Sequence, residues 1–211
     1  MLEVKSLSAG YGRARVLYDL SLEARAGEVV ALVGRNGAGK STTLKAIIGL
    51  VARSGEVRFD GQRIDGLEPY EIARLGLGYV PEDRRIFTEL TVAENLEVGR
   101  QPPRQTTASW SEETLYGLFP ALGTMRERRG DRMSGGEQQM LAIARTLAGN
   151  PGAILLDEPS EGLAPIVVNT VAKAIEELKR AGMTILLAEQ SLRFAERVAD
   201  RVYRIEKGRL A

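Results

Sequence analysis

The stretch Gly34-Arg35-Asn36-Gly37-Ala38-Gly39-Lys40-Ser41 constrains this chain more than any other. It fits G-x-x-x-x-G-K-[ST] and follows an apolar run, Val29 to Val33. After it, Leu44, Ile47 and Ile48 share one helical face and Gly49 is placed to end the helix. Strand, glycine turn and helix is the order a phosphate-binding loop requires. Glycines let successive backbone N–H groups turn inward on a phosphate, the lysine reaches the β and γ oxygens, and the serine hydroxyl can ligate Mg²⁺. The residues expected at the phosphates are Gly34, Asn36, Gly37, Ala38, Gly39, Lys40, Ser41 and Thr42. The plain alternative is a glycine-rich turn.

A second chemical feature lies downstream. Ala153 to Leu156 reads as an apolar strand that runs into Asp157 and Glu158, and an open α/β sheet places its ligands at such strand ends. Asp157 is expected to hold Mg²⁺ through its water shell, and Glu158 to polarise an attacking water as general base. An ordinary acidic strand end is the alternative. The third feature is Met133-Ser134-Gly135-Gly136-Glu137-Gln138-Gln139, ahead of a helix whose core face is Met140, Ile143, Ala144 and Leu147. Ser134 and Glu137 have capping-box spacing, which needs no ligand. The same serine hydroxyl and glycine N–H groups also suit a second anion.

The rest of the chain frames these motifs. Short strands are expected at Leu2 to Leu7, Val16 to Leu22 and Glu56 to Phe59, the last followed by an Asp60-Gly61 turn, and a buried strand from Leu77 to Val80 stops at Pro81. From about Thr88 to Gly149 the pattern is helical, broken by an exposed loop over Gln101 to Ser109. Strand and helix then alternate: helix from about Pro165 to Ala181, strand Met183 to Ala188, helix Leu192 to Ala199 and strand Val202 to Ile205. Alternation of this kind implies a parallel sheet covered by helices. The expected division is one domain over 1–211, with 1–87 and 150–211 forming the nucleotide core with its β-subdomain and 88–149 an inserted helical subdomain.

Composition removes several classes of chemistry. Cysteine and histidine are both absent, which excludes disulfides, thiolate nucleophiles and imidazole catalysis. The 29 lysines and arginines nearly balance 28 aspartates and glutamates, so no long-range attraction to nucleic acid is expected. Apolar runs fall far short of the roughly 18 residues that cross a bilayer. Met1-Leu2-Glu3-Val4 has neither a basic leader nor an apolar signal core, so secretion is not expected.

The phosphate loop, Ser134-Gly135-Gly136 and the Asp157-Glu158 strand occur in the order and approximate spacing of the ABC ATPases, and the chain resembles that family along nearly its full length. The resemblance implies an α/β P-loop NTPase core with a mainly parallel sheet, an N-terminal antiparallel β-subdomain and an inserted helical subdomain. It implies Mg²⁺ and two ATPs sandwiched in a head-to-tail dimer, the Ser134-Gly135-Gly136 signature of one protomer closing on the phosphate loop of the other. By the same resemblance Tyr11 stacks on adenine and Ser160-Glu161-Gly162-Leu163 faces the opposite protomer. Glu82 stands where most members carry the glutamine that touches Mg²⁺, and Gln190 where they carry a switch histidine at the γ-phosphate.

These departures, with Pro81 to Phe87, Leu90 to Leu96 and Asp157 to Pro165, resemble the subgroup that serves branched-chain amino acid importers. Amide or urea importers are close relatives of that subgroup. The chain also stops just after Glu206 to Ala211, where such relatives usually continue with a strand and a short helix, so a shortened or a minimal member is expected. Partners implied are two membrane permease subunits, a second copy or a sister ATPase, and, indirectly, an extracytoplasmic solute-binding protein. The implied place is the cytoplasmic face of the membrane, with the segment Glu82 to Leu96 and the adjoining helical lobe docking the permease. Two other readings stay open: a soluble ABC protein acting on DNA or ribosomes, against which the lack of basic extensions argues, and a P-loop phosphotransferase, against which the signature helix argues.

Overall fold

A computed structural model describes residues 1–104 and 109–211. Its centre is a six-stranded sheet in the order β10-β9-β3-β8-β7-β6, built from β3 (Val29–Val33), β6 (Leu77–Val80), β7 (Ala153–Asp157), β8 (Thr184–Glu189), β9 (Arg201–Glu206) and β10 (Arg209–Leu210). All neighbours in it are parallel except β10, which turns back antiparallel on β9. A separate antiparallel sheet of order β2-β1-β4-β5 uses β1 (Leu2–Tyr11), β2 (Ala14–Ala24), β4 (Arg53–Phe59) and β5 (Gln62–Arg63). The protein therefore has the mixed α/β architecture expected of a P-loop NTPase.

Successive strand residues point to opposite faces, so a sheet covered on both sides reads as continuous apolar sequence. The two faces divide accordingly. Val29, Ala31 and Val33, with Ile154, Leu156, Ile185 and Leu187, pack under α6 (Gly135–Ala148), α7 (Pro165–Arg180) and α8 (Leu192–Val198). Val30, Leu32, Leu155 and Leu186 face the other way, against α1 (Lys40–Ile47), α2 (Pro69–Leu75) and the antiparallel sheet. Between residues 88 and 149 lie α3 (Val92–Gly99), α4 (Glu112–Leu118), α5 (Pro120–Gly123) and α6, which share the first of these cores.

Local chemistry explains most boundaries. The β4–β5 hairpin turns on Asp60 and Gly61, both at positive φ (47° and 80°), the pair of left-handed residues a type I′ turn requires. Gly49, at φ 85°, follows the end of α1. Strands β1, β2 and β4 run longer than their apolar cores predict, because pairing with a neighbour carries exposed residues into the ladder. The apolar pattern does not predict helix α2, which is held by a capping box between Glu68 and Glu71 rather than by a wide apolar face, Ile72 being its one buried residue. Gln101, Pro102 and Pro103 are exposed and irregular as expected, while residues 105–108 of that predicted loop lie outside the described residues.

Pairing register positions the site. Val33 lies opposite Glu189, Asp157 opposite Ala188 and Val80 opposite Leu156. The carboxyl ends of β3, β6, β7 and β8 are thus level, and the loops beginning at Gly34, Pro81, Glu158 and Gln190 all leave from one edge of the sheet.

Candidate functional site

The glycine loop is braced from several sides. Gly39 caps α1 in the left-handed region at φ 111°, and a Cβ there would stand 2.8 Å from Leu17 Cδ2, so only glycine fits. The Thr43 N–H and hydroxyl both donate to the Gly39 carbonyl, at 2.9 and 2.8 Å, and the Gly208 N–H donates to Ala38 O at 2.9 Å. Helix α1 carries no acidic residue in its own first turn. Lys40 is 3% exposed. Its ammonium donates to Gly34 O (2.9 Å) and Arg35 O (3.2 Å) and pairs with Glu158 Oε1 at 3.0 Å.

Both acids at the end of β7 are buried, and each has an oxygen without a hydrogen-bond partner: Asp157 Oδ1 and Glu158 Oε2. Asp157 Oδ2 accepts from the Tyr79 hydroxyl at 3.0 Å. Burial pushes the Asp157 carboxyl above its ordinary value, against the pull of the Ser41 and Tyr79 hydroxyls. Burial and the adjacent Asp157 push the Tyr79 phenol upward too, so it stays a donor. Glu158 begins the loop after β7 at φ 49°, a backbone conformation unusual for glutamate, and its N–H donates to Ala188 O at 2.9 Å.

A cleft of 460 Å³ opens over these groups. Of the expected phosphate set, Asn36, Gly37, Gly39, Lys40, Ser41 and Thr42 line it, while Gly34 and Ala38 shape the loop without lining it. Glu82, Glu158, Glu161 and Val16 complete the wall. The neighbouring Glu158 carboxyl first, then burial and the charge of Glu82, push the Glu161 carboxyl up to about 7. Among the described residues no cluster of three acids, histidines or cysteines is arranged to hold a metal. The free Asp157 Oδ1 and the Ser41 hydroxyl, which pulls on the same carboxyl, are nonetheless hard oxygens of the kind Mg²⁺ accepts when phosphate oxygens and waters fill its other positions.

The remaining predicted residues stand apart from the cleft wall. Tyr11 is 50% exposed at the end of β1. Ser134 and Gly135 are exposed, and Ser134 caps α6 by the reciprocal bonds its spacing predicts: the Glu137 N–H donates to Ser134 Oγ (3.3 Å) and the Ser134 N–H to Glu137 Oε2 (2.7 Å). Gly136 has a reason inside the chain as well, because a Cβ there would lie 2.7 Å from Val167 Cγ2 of α7. Gln190 is exposed just past β8.

Three residues escaped the sequence reading: Tyr79, the cleft-facing role of Glu161, and Glu189. Glu189 is 1% exposed, and burial raises its carboxyl above the ordinary value against the bonds it accepts from Ser160 and Ser191. Strand alternation was the available signal. Glu189 follows Ile185 and Leu187 on one face of β8, and Tyr79 follows Leu77 on one face of β6.

Residues 17–161 match the family model described as ABC transporter. The chain is 44% identical over 211 residues to the high-affinity branched-chain amino acid transport ATP-binding protein BraG of Pseudomonas aeruginosa, covering 100% of this chain and 91% of that protein. It is 35% identical over 216 residues to the probable branched-chain amino acid transport ATP-binding protein LivF of Archaeoglobus fulgidus, covering 100% and 90%. It is 37% identical over 212 residues to the lipopolysaccharide export system ATP-binding protein LptB of Escherichia coli K12, covering 99% and 88%. Among solved structures, an ATP-binding subunit of an ABC transporter superposes with a TM-score of 0.85 at 34% identity, covering 100% and 88%. The ADP conformation of MJ1267, an ATP-binding cassette of an ABC transporter, does so with a TM-score of 0.83 at 27% identity, covering 100% and 89%.

Proposed function

Because the chain belongs to the ABC transporter family and is an ATP-hydrolysing subunit of it, we propose that it drives a membrane importer whose solutes are branched-chain amino acids. The observation that carries the solute class is the 44% identity to BraG along the whole of this chain. The 37% identity to LptB favours a second reading, a lipid exporter, and makes the solute the point to test.

In this reading ATP lies along the glycine loop with its adenine against Tyr11, and the γ-phosphate draws the Lys40 ammonium away from Glu158. That exchange leaves Glu158 free to take a proton from the attacking water, with Gln190 positioning phosphate or water through its amide. Ser41, Asp157 and Glu82 would hold Mg²⁺, which neutralises charge on the phosphates. The Ser134-Gly135-Gly136 edge, exposed at Ser134 and Gly135, completes the site of a second protomer, identical or sister, so closure requires two chains. Residues 88–149 act as the subdomain carrying that edge, and Glu82 to Leu96 meets one of two permease subunits at the inner face of the membrane, supplied from outside by a solute-binding protein. Among the described residues no helix is long and apolar enough to cross a membrane, so the path for solute is assigned to the permeases.

The test is co-purification from membranes with the permeases, followed by reconstitution in liposomes with the solute-binding protein. ATP-dependent accumulation of labelled leucine is expected. Extraction of lipid without leucine accumulation would favour the exporter reading instead.

A further inference from the structure

Glu189 is a buried acid with no cation beside it: among the described residues no ion pair includes it. Its carboxylate is held by two backbone groups from separate segments. The Ser160 N–H, in the loop after β7, donates to Oε1 at 3.1 Å, and the Ser191 N–H, at the start of α8, donates to Oε2 at 3.3 Å. Its own carbonyl accepts from the Gly34 N–H at 3.3 Å, and the preceding Ala188 carbonyl accepts from the Glu158 N–H. One residue at the end of β8 therefore touches the first residue of the glycine loop, the loop that begins with Glu158, and the turn that contains Gln190.

Burying a carboxyl without a paired cation is costly, and the nearby Glu158 makes it costlier. A neutral residue would serve better if the position only ended a strand. What a carboxylate alone provides at this length is an acceptor at both ends of the group; a glutamine presents an acceptor on one side and a donor on the other. Two donors on two different segments call for the former. We propose that Glu189 is a positioning residue for ATP hydrolysis, coupling the loop that carries Glu158 to the turn that carries Gln190 so that the two reach the phosphate together. This inference rests on the functional reading above, in which Glu158 and Gln190 serve the hydrolytic step.

The test compares Glu189→Gln, Glu189→Asp, Gln190→Ala and the double variant Glu189→Gln/Gln190→Ala in steady-state ATP hydrolysis. Glu189→Gln leaves one N–H facing an amide donor, and kcat should fall about tenfold or more while KM for ATP stays within about twofold. Glu189→Asp keeps both acceptors and should retain more activity than Glu189→Gln. In the double variant the two losses should not multiply, because both act through one unit. A folded Glu189→Gln protein with kcat within twofold of the parent, or losses that multiply, would overturn the proposal.

Should Glu189→Gln not fold, hydrogen exchange on the parent protein decides: the Ser160 and Ser191 amides should slow together on ATP binding, and independent responses would overturn the coupling. Glu158→Gln is assayed in parallel. If it abolishes hydrolysis while Glu189→Gln does not, the coupling is wrong and the functional reading survives; if Glu158→Gln stays active, the reading itself fails.

Discussion

Replacing Glu158 by glutamine separates chemistry from structure in this site. The carboxylate pairs with Lys40 at 3.0 Å, with side chains only 6% and 3% exposed. Deleting a partner of a buried pair outright costs ~3–5 kcal/mol, because the other charge is stranded. Glutamine does not delete it: the amide oxygen can still accept from the ammonium, beside the Gly34 and Arg35 carbonyls that already do. The loss is then the difference between a charge-assisted and a weaker acceptor, about 1 kcal/mol. In a 211-residue chain that lowers the melting midpoint by only ~2–4 °C. Removing a positioned base costs about 10²–10⁴-fold in rate, or ~3–5 kcal/mol of activation free energy. Glu158→Gln should therefore melt close to the parent and bind ATP with similar affinity, while steady phosphate release under saturating Mg-ATP nearly stops. Retention of more than half the activity would remove Glu158 from the role of base. A fall of more than about 10 °C in the midpoint would refute the argument that Lys40 stays satisfied.

On the proposed positioning role, Gln190→Ala should slow turnover by roughly ten- to a hundredfold; hydrolysis at the parent rate would reduce Gln190 to an exposed strand-end residue. If Asp157 holds Mg²⁺ as proposed, Asp157→Asn should raise the Mg²⁺ concentration needed for half-maximal hydrolysis by roughly 10–100-fold, an expectation that an unchanged Mg²⁺ titration would contradict. Glu161 is an acid whose carboxyl rises from 4.5 to about 7 on folding. It binds its proton more tightly folded than unfolded, so the stability it contributes is full below the lower value and is lost as pH climbs through the higher. Glu161→Gln should melt above the parent at pH 8 and lose that advantage at pH 5, measured without nucleotide; an equal difference at both pH values would show that the carboxyl does not titrate in this window.

Pattern sufficed wherever one physical cause acted alone. The continuous apolar runs of β3, β7 and β8, the Asp60-Gly61 turn and the Ser134–Glu137 cap are local effects, and the folded chain places them where the sequence does. Where two causes competed, pattern fell short. The ends of β1 and β2 are set by a neighbour's ladder, and α2 by a two-glutamate cap that overrides its short apolar face. In the site, the phosphate loop and the acid strand converge as spacing suggests, yet Tyr79 and Glu189 stay hidden in the sequence because their importance depends on register. Only when Val80 is opposite Leu156 and Asp157 opposite Ala188 does the Tyr79 hydroxyl meet Asp157, or the Glu189 carboxylate reach Ser160.

A complete ATP site is expected to need two chains, since the Ser134-Gly135 edge is exposed and forms no part of the cleft wall in its own chain. Sedimentation velocity of the Glu158→Gln protein tests this directly, because slow hydrolysis preserves the closed state. It should sediment as a monomer without nucleotide or with ADP and as a dimer with ATP. Adding Ser134→Arg, which puts a bulky side chain where the γ-phosphate must approach, should leave α6 folded and the protein monomeric with ATP. A Ser134→Arg protein that still dimerises with ATP, or a Glu158→Gln protein that stays monomeric in saturating ATP, would contradict the two-chain site.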